Sequence, residues 1–205
     1  TNCTGLVEIP ESVTKVGEEA FSWGEEITSV IFPESLEIID PYAFYENSGI
    51  TSLVIPNGVQ VIGESAFYNL QNLTSLTIGS GVTTIGANAF RNAYSLNLLT
   101  IGSGVTTIGA SAFRSAYSLP SLDIPDSVVT IENGAFSGLE SMVSLNLGNN
   151  VTTIGNYAFQ GASSLLSLTI PDTVTALGEG AFRFYDGSSL TSLGIGAGIT
   201  SIATD

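Results

Sequence analysis

The side chains of this 205-residue chain that could carry out chemistry are mostly carboxylates, because it contains 19 Asp and Glu residues, no His and one Cys. The adjacent pairs Glu18-Glu19 and Glu25-Glu26 have the residue types that general acid–base catalysis uses. Adjacent acids in a loop are more often simply solvated, and without His neither a Ser-His-Asp triad nor imidazole proton transfer is available. The composition therefore predicts a protein that is not an enzyme.

Metal-binding patterns are equally scarce. The sequence has no His/Cys cluster and no Asp-rich calcium loop. Glu11, Glu34, Asp126 and Asp172 share one position of the repeat described below, and stacked coils would place the first two roughly 5 Å apart. A loosely held cation and ordinary turn chemistry explain these acids equally well. We predict no resident metal and no cofactor.

The charge is strongly negative and unevenly distributed. Four basic residues oppose the acids, giving a formal net charge of −15 at pH 7, and ten of the acids lie within the first 46 residues. Phosphate binding depends on Lys and Arg, so neither nucleic acid nor an anionic membrane is an expected partner, and direct membrane insertion is not expected. Solubility explains the acidic surface, and the alternative is that it steers a basic partner towards the N-terminal part.

The elements that position these side chains come from a repeat. The pair Ala-Phe recurs every 23 residues, and about six further apolar positions recur with it. The phenylalanines are Phe21, Phe44, Phe67, Phe90, Phe113, Phe136, Phe159 and Phe182. A fixed period in this range indicates a solenoid in which neighbouring coils share one core, so Phe90, Phe113 and Phe136 should form a continuous buried stack with their Ala neighbours.

Each repeat contains two predicted strands. The segment Leu76-Thr77-Ile78 alternates with period two, and a turn pair such as Pro56-Asn57 follows this segment in every repeat. Val-x-x-Ile is predicted as a second extended piece with both apolar residues inside. The Gly after it is predicted to allow positive φ. The Ala-Phe stretch is predicted as a single helical or 3₁₀ turn, and Asp40-Pro41 as the start of a short helix.

The pattern L-x-x-L-x-I-P-x-x-V-x-x-I-G-x-x-A-F is present at residues 119–136 and 165–182, with Glu132 and Leu177 as single departures. It resembles the BspA-like (treponemal-type) leucine-rich repeat, and the resemblance covers essentially the whole chain. It implies a right-handed superhelical solenoid, mainly β with short helical or 3₁₀ turns. It also implies a surface or secreted protein that functions in adhesion or ligand binding. The Cys that family repeats often carry three places after the Phe is missing, and only Cys3 could correspond to it.

We expect residues 1–205 to form one domain of about eight repeats, with a two-residue insertion near Tyr185-Asp186. The chain begins and ends within a repeat, at Thr1 and after Ile202, without a visible polar cap. Because repeat arrays need caps for solubility, we expect a fragment of a longer array.

The outward residues of the first strand are the predicted ligand-binding surface. They lie eight and ten residues after each Phe and are mostly small and neutral, with Ile31 and Val54 making the N-terminal end more apolar. The predicted ligand-binding row consists of Ser75, Thr77, Thr100, Ser121 and Asp123. Regular spacing favours binding here, although Ser and Thr also suit any exposed strand. The surface has few aromatic residues, so modest affinity is expected.

A possible edge patch follows the Phe. Arg91 and Arg114 align in successive repeats, as do Tyr94 and Tyr117. Arg and Tyr are frequent at binding hot spots, but residues 78–87 and 101–110 are identical, so duplication alone explains the alignment equally well.

A third set of aligned residues is formed by threonine pairs, Thr83-Thr84, Thr106-Thr107 and Thr152-Thr153. Regular Thr arrays on a flat solenoid can match an ice lattice. This array is interrupted at Glu37-Ile38, Gln60-Val61 and Val129-Thr130.

These observations predict a non-catalytic, extracellular or cell-surface adhesion or recognition module that binds a protein or glycan along the strand face. The first alternative is a structural spacer within a larger surface protein, and an ice-binding solenoid is the second.

Overall fold

The computed structural model describes residues 5–184 and 188–200 as one stack of coils. Each coil contributes one longer and one two-residue strand, and every strand pairs in parallel with its equivalent one coil away. This confirms the predicted solenoid. Cys3, Ile202 and the Tyr185-Asp186 insertion lie outside the described residues.

The strands follow the repeat in chain order. They are β1 (Gly5–Glu8), β2 (Lys15–Val16), β3 (Ile27–Ile31), β4 (Ile38–Ile39), β5 (Ser52–Ile55), β6 (Val61–Ile62), β7 (Ser75–Ile78), β8 (Thr84–Ile85), β9 (Leu98–Thr100), β10 (Thr107–Ile108), β11 (Ser121–Asp123), β12 (Thr130–Ile131), β13 (Ser144–Asn146), β14 (Thr153–Ile154), β15 (Ser167–Ile170), β16 (Ala176–Leu177) and β17 (Ser192–Ile195).

The even-numbered strands form one continuous eight-stranded sheet from β2 to β16. Its register advances by one repeat at each step, so Ile39 pairs with Ile62 and Ile62 with Ile85. As predicted for Val-x-x-Ile, Val59 and Ile62 are both buried while Gln60 and Val61 between them are exposed.

The odd-numbered strands form the other face, which we call the strand face, and this face is divided into shorter sheets. The sheets are β1-β3, β5-β7-β9, β11-β13 and β15-β17. The break between β9 and β11 falls at Pro120, directly before β11. At the equivalent positions, Asn97 N donates to Thr74 O (3.0 Å) and Val143 N donates to Pro120 O (2.9 Å). Pro120 has no N–H to donate towards β9, so the equivalent bond cannot form at this break.

The phenylalanine stack predicted for the core is confirmed. Neighbouring rings from Phe21 to Phe182 lie 5.0–5.3 Å apart between centroids and are parallel to within 9°. These distances suit offset-stacked aromatic pairs. The six rings from Phe44 to Phe159 are fully buried, and so are the alanines that precede them. A small residue is needed there because the neighbouring coil lies directly against it.

The glycine that follows Val-x-x-Ile has a different role from the one predicted. Gly63 and Gly86 do not have positive φ. Instead, a Cβ on Gly86 would lie 2.6 Å from the carbonyl carbon of Gly63 and 2.7 Å from the nitrogen of Glu64. Glycine is required because the backbones of adjacent coils approach closely at this point.

Positive φ occurs instead on both sides of each Phe. Two residues before it, φ is 52–63° at Glu19, Tyr42, Ser65, Asn88, Ser111, Gly134, Tyr157 and Gly180. Two residues after it, φ is 61–88° at Trp23, Glu46, Asn69, Asn92, Ser115, Gly138 and Gly161. Most of these residues are not glycine, which is unusual for this conformation.

The predicted helical turn at Ala-Phe is therefore replaced by consecutive turns, and residues 5–184 and 188–200 contain no helix. Ala66 N donates to Gly63 O (3.3 Å) within the coil, whereas Phe67 N donates to Ala89 O (2.8 Å) of the next coil. At Asp40-Pro41 the chain also forms a turn, and the Asp40 carboxylate pairs with Lys15 at 2.8 Å. Every second N–H group along this stretch, such as those of Ser65, Phe67 and Asn69, donates to the next coil, so bonds between coils replace part of the helical pattern. We call this side of the solenoid the Phe edge.

We expect Phe113→Ala to lower the free energy of unfolding by about 3–5 kcal/mol, because it removes a buried ring and leaves a cavity. Phe113 lies 5.3 Å from both Phe90 and Phe136. Urea unfolding would measure the loss, and hydrogen exchange should show faster exchange in neighbouring coils only. Arg114→Ala, an exposed change in the same turn, is the control. An equally stable Phe113→Ala variant would contradict the assigned core.

The conformation of the Phe edge generates a second prediction. Ser111 has φ of 55°, where a β-branched side chain is strained by about 1–2 kcal/mol. Ser111→Val should lower the urea midpoint, whereas Ser111→Gly should leave it unchanged or raise it. Ser144→Val, at an exposed strand position, should be neutral. Equal stability of the two Ser111 variants would show that φ is not positive there.

Candidate functional site

The predicted ligand-binding row lies on the strand face but spans two sheets. Thr77 pairs directly with Thr100, and Ser75 lies on the same strand as Thr77. Ser121 and Asp123 lie on β11, beyond the break at Pro120. Thr100, Ser121 and Asp123 are exposed, while Ser75 and Thr77 are half-buried. Three of the five side chains thus share one sheet, and the other two continue the face in the next coil.

The residues ten places after each Phe form what we call the outer strand row. In chain order they are Ile31, Val54, Thr77, Thr100, Asp123, Asn146 and Thr169. Alternate residues of each strand, such as Leu53 and Ile55, are buried in the core, which fixes the outward direction of the row. Ile31 and Val54 are exposed, as predicted, with 64% of Val54 accessible. The row therefore changes from apolar to hydroxyl, then to carboxylate and amide, and returns to hydroxyl at Thr169.

One apolar side chain interrupts the polar part of the strand face. Leu98 occupies the position that Ser75 and Ser121 hold in the neighbouring coils, and 58% of its surface is exposed. It lies two residues before Thr100 on β9. A ligand on this face would therefore meet hydroxyl groups and one large apolar contact.

The structure also aligns the residues of the predicted edge patch. Tyr94 and Tyr117 stack with centroids 5.5 Å apart and ring planes 9° apart. The Arg91 guanidinium lies 5.9 Å from the ring centroid of Tyr68, and its Nη1 donates to Asn88 Oδ1 at 3.3 Å. Arg114 is exposed, whereas Arg91 is half-buried.

A group of aromatic residues on the Phe edge was not predicted from the sequence. We call Trp23, Tyr42, Tyr45 and Tyr68 the aromatic corner. Tyr45 stacks on Tyr68 at 4.9 Å, Trp23 lies 5.5 Å from Tyr45 at 63°, and Tyr42 lies 5.7 Å from Tyr45 at 59°. Trp23 is 66% exposed and the three tyrosines are half-buried, so these aromatic side chains add to the surface of the Phe edge and not to the strand face.

The signal for this group was present in the sequence. Tyr45 and Tyr68 each follow a core Phe directly, as Arg91 and Arg114 do in the next two coils. Comparing that position across every repeat, rather than only where arginines align, would have identified both tyrosines.

The electrostatic surroundings of the aromatic corner are acidic. Partial burial raises the pKa of the Tyr45 hydroxyl above its usual value, and the Glu46 carboxylate raises it further. Glu46 also accepts a hydrogen bond from Asn69 Nδ2. Glu18 and Glu25 are exposed on the first coil.

The threonine array lies on the eight-stranded sheet. Thr84, Thr107, Thr130 and Thr153 pair in direct register on four successive strands. The preceding threonines use their hydroxyls internally. Thr83 Oγ1 donates to Gln60 O (3.2 Å) and Thr106 Oγ1 to Thr83 O (3.1 Å). Part of the array therefore joins adjacent coils.

Two of the four turn acids considered as cation ligands have structural partners. Asp126 Oδ1 accepts from Asn149 N at 2.8 Å, and Asp172 Oδ1 accepts from Ala197 N at 2.8 Å. Asn57 Oδ1 does the same for Ser80 N at 2.9 Å. Turn chemistry thus accounts for the two aspartates. Within residues 5–184 and 188–200, no group of three or more His, Cys, Asp or Glu is placed to hold a metal ion.

The described part of the chain contains no helix with the length and apolar character needed to span a bilayer.

The sequence matches the family model described as BspA type leucine-rich repeat region, in six copies over residues 2–119 and 106–205. A leucine-rich repeat protein from Bacteroides ovatus is 24% identical with a TM-score of 0.78, and the match covers 95% of this chain and 53% of that one. The T. pallidum leucine-rich repeat protein is 30% identical with a TM-score of 0.65, covering 70% and 68%. The pneumococcal vaccine antigen PcpA is 18% identical with a TM-score of 0.55, covering 96% and 68%.

The chain spans about half the length of the B. ovatus protein, since 53% of that protein is covered. Among curated proteins, no sequence match was found.

The threonine array generates a prediction about ice. We expect no thermal hysteresis from the purified protein, because Thr83 and Thr106 direct their hydroxyls to backbone carbonyls and Val129 interrupts the array. Nanolitre osmometry on the wild type and Thr107→Lys would test this. Clear hysteresis that Thr107→Lys abolishes would instead establish the eight-stranded sheet as an ice-binding surface.

Proposed function

This chain belongs to the BspA-type leucine-rich repeat family, and from that premise we propose that it is a non-catalytic recognition module that binds a protein or glycan along its strand face. The family supports an extracellular or cell-surface location. The observation that carries the proposal is the outer strand row, in which regularly spaced side chains change in chemistry from one coil to the next.

The strand face is suited to binding because its side chains are already ordered. Leu76 and Ile78 are buried on either side of Thr77, so the backbone that carries Thr77 is fixed by the core. A ligand that contacts Thr77 and Thr100 would therefore immobilise few additional degrees of freedom. Pre-organisation of this kind reduces the entropic cost of association.

The chemistry of the central strand face suits a ligand with many hydrogen-bonding groups. The Thr100 and Ser121 hydroxyls can each donate and accept, and the Asp123 carboxylate accepts. Exposed Leu98 adds an apolar contact beside them. Glycan hydroxyls and an extended peptide backbone both offer matching donors and acceptors.

A structural spacer is the second candidate, and the rigidity of the stack favours it. The continuous Phe column and the side-chain bonds between coils, such as Ser35 Oγ to Glu11 O (2.6 Å), would hold an elongated module straight. A spacer would need this rigidity but no ligand on the strand face.

We expect Thr100→Arg to reduce binding to a ligand found on a glycan array or a panel of purified matrix proteins. A new long, charged side chain at the centre of the strand face should cost about tenfold or more in affinity, as is typical of disrupted hot spots. Arg114→Ala on the Phe edge should leave the affinity unchanged. Thr169→Arg is the matched control, since it adds the same charge to the same row three coils away.

Loss of binding only in Arg114→Ala would move the ligand site to the Phe edge. Unchanged binding in both Thr100→Arg and Arg114→Ala would favour the spacer for this part of the molecule.

A further inference from the structure

We propose that the aromatic corner is a docking site for a basic segment of a partner protein, with a Lys or Arg side chain held against the rings of Trp23, Tyr42 and Tyr45. This site lies on the Phe edge rather than on the strand face, so it does not depend on the proposed function above. Its support comes from the ring geometry, from an internal example of the same interaction, and from the charge of the surrounding coils.

The geometry leaves aromatic faces available. Trp23 and Tyr42 are inclined to Tyr45 by 63° and 59°, so neither ring covers another completely. Trp23, the only Trp of the chain, offers the largest ring and is 66% exposed. Trp, Tyr and Phe faces attract cations within about 6 Å of the ring centroid, and Trp does so best.

The C-terminal end of the same tyrosine pair already binds a cation. Arg91 follows Tyr45 and Tyr68 at the equivalent position of the next coil, and its guanidinium lies 5.9 Å from the Tyr68 centroid. Towards the N-terminus that position holds Ser22, which is too short to cover Tyr45. The chain thus supplies a cation at one end of the pair and none at the other, where a partner could provide it.

The charge around the aromatic corner favours a basic partner. Ten acids lie in the first 46 residues, and the one base there, Lys15, is paired with Asp40 at 2.8 Å. Glu19 and Glu26 are exposed on the same coil as Trp23. An acidic surface of this kind accelerates encounter with cationic segments and repels anionic ones.

The backbone of the Phe edge adds to this potential. Phe21 N donates to Ala43 O (2.8 Å) and Trp23 N donates to Tyr45 O (2.7 Å), and the same direction is kept from coil to coil. The carbonyl groups that accept these bonds, every second one along this edge, therefore point towards the N-terminal coils. Aligned peptide dipoles place partial negative charge at the carbonyl end, as they do at the C-terminus of a helix.

The basic segment is favoured over a neutral glycan by the acids and by the arginine already bound. A sugar that stacks on an aromatic ring does not require exposed carboxylates such as those of Glu19 and Glu26 on the same coil. Tyr45 and Tyr68 also cover each other, since they stack at 4.9 Å with planes 8° apart.

The single Trp makes the site directly observable. Titration with a short oligoarginine peptide should change Trp23 fluorescence in a saturable way, whereas an oligoglutamate peptide should not. Tyr45→Leu should weaken oligoarginine binding by about two- to fivefold, the worth of one exposed cation–π contact. Tyr45→Phe, which keeps the ring, should bind like the wild type. Tyr117→Leu, in the other tyrosine stack, is the matched control and should also be unchanged.

Salt separates the aromatic contribution from charge alone. At about 0.5 M salt, where screening extends over only ~4 Å, the twofold to fivefold difference between wild type and Tyr45→Leu should persist. The proposal would be overturned if Tyr45→Leu, folded as judged by urea unfolding, bound oligoarginine as tightly as the wild type. It would also be overturned if binding vanished at high salt, or if neutral oligosaccharides alone changed Trp23 fluorescence.

Discussion

Each coil of this protein obtains most of its backbone hydrogen bonds from the coil beside it, and this constraint determines the rest of the structure. Bonds such as Gly63 N to Ile39 O (2.8 Å) join residues one repeat apart. They require each coil to lie directly over its neighbour, which leaves room for no side chain between Gly63 and Gly86. The same superposition stacks the phenylalanines and aligns outward residues of equal position into rows.

The Phe edge shows how strongly this constraint acts on local conformation. Residues as unsuited to positive φ as Tyr42 and Trp23 adopt it because their N–H groups then bond to the next coil. The left-handed conformation costs a residue about 1–2 kcal/mol. Leaving a buried backbone N–H without a hydrogen bond costs a similar amount, so the bond to the next coil offsets the strain. That backbone conformation also places the rings of Tyr45 and Tyr68 in a stack, so the fold itself creates the aromatic corner.

The sequence was sufficient to predict the repeat length, the buried positions and the parallel solenoid, because periodic burial depends only on which residues are apolar. The predictions of positive φ at Gly63 and of a helical turn at Ala-Phe were wrong, because backbone conformation at both places depends on the approach of a neighbouring coil. It also did not reveal the angles between Trp23, Tyr42 and Tyr45, which depend on how each turn projects its side chain. The ligand-binding row and the edge patch remain predictions, since alignment of side chains does not establish what they bind.

The direction of the bonds between coils also has a mechanical consequence. Strands such as β5 and β7 run across the long axis of the stack, and their backbone bonds point along it. A force that pulls the two ends apart would therefore open one coil interface at a time, with few bonds sharing the load. Each opened coil would release 23 residues of extensible chain while the remaining coils stayed intact. A module of this design would lengthen stepwise under tension rather than fail at once.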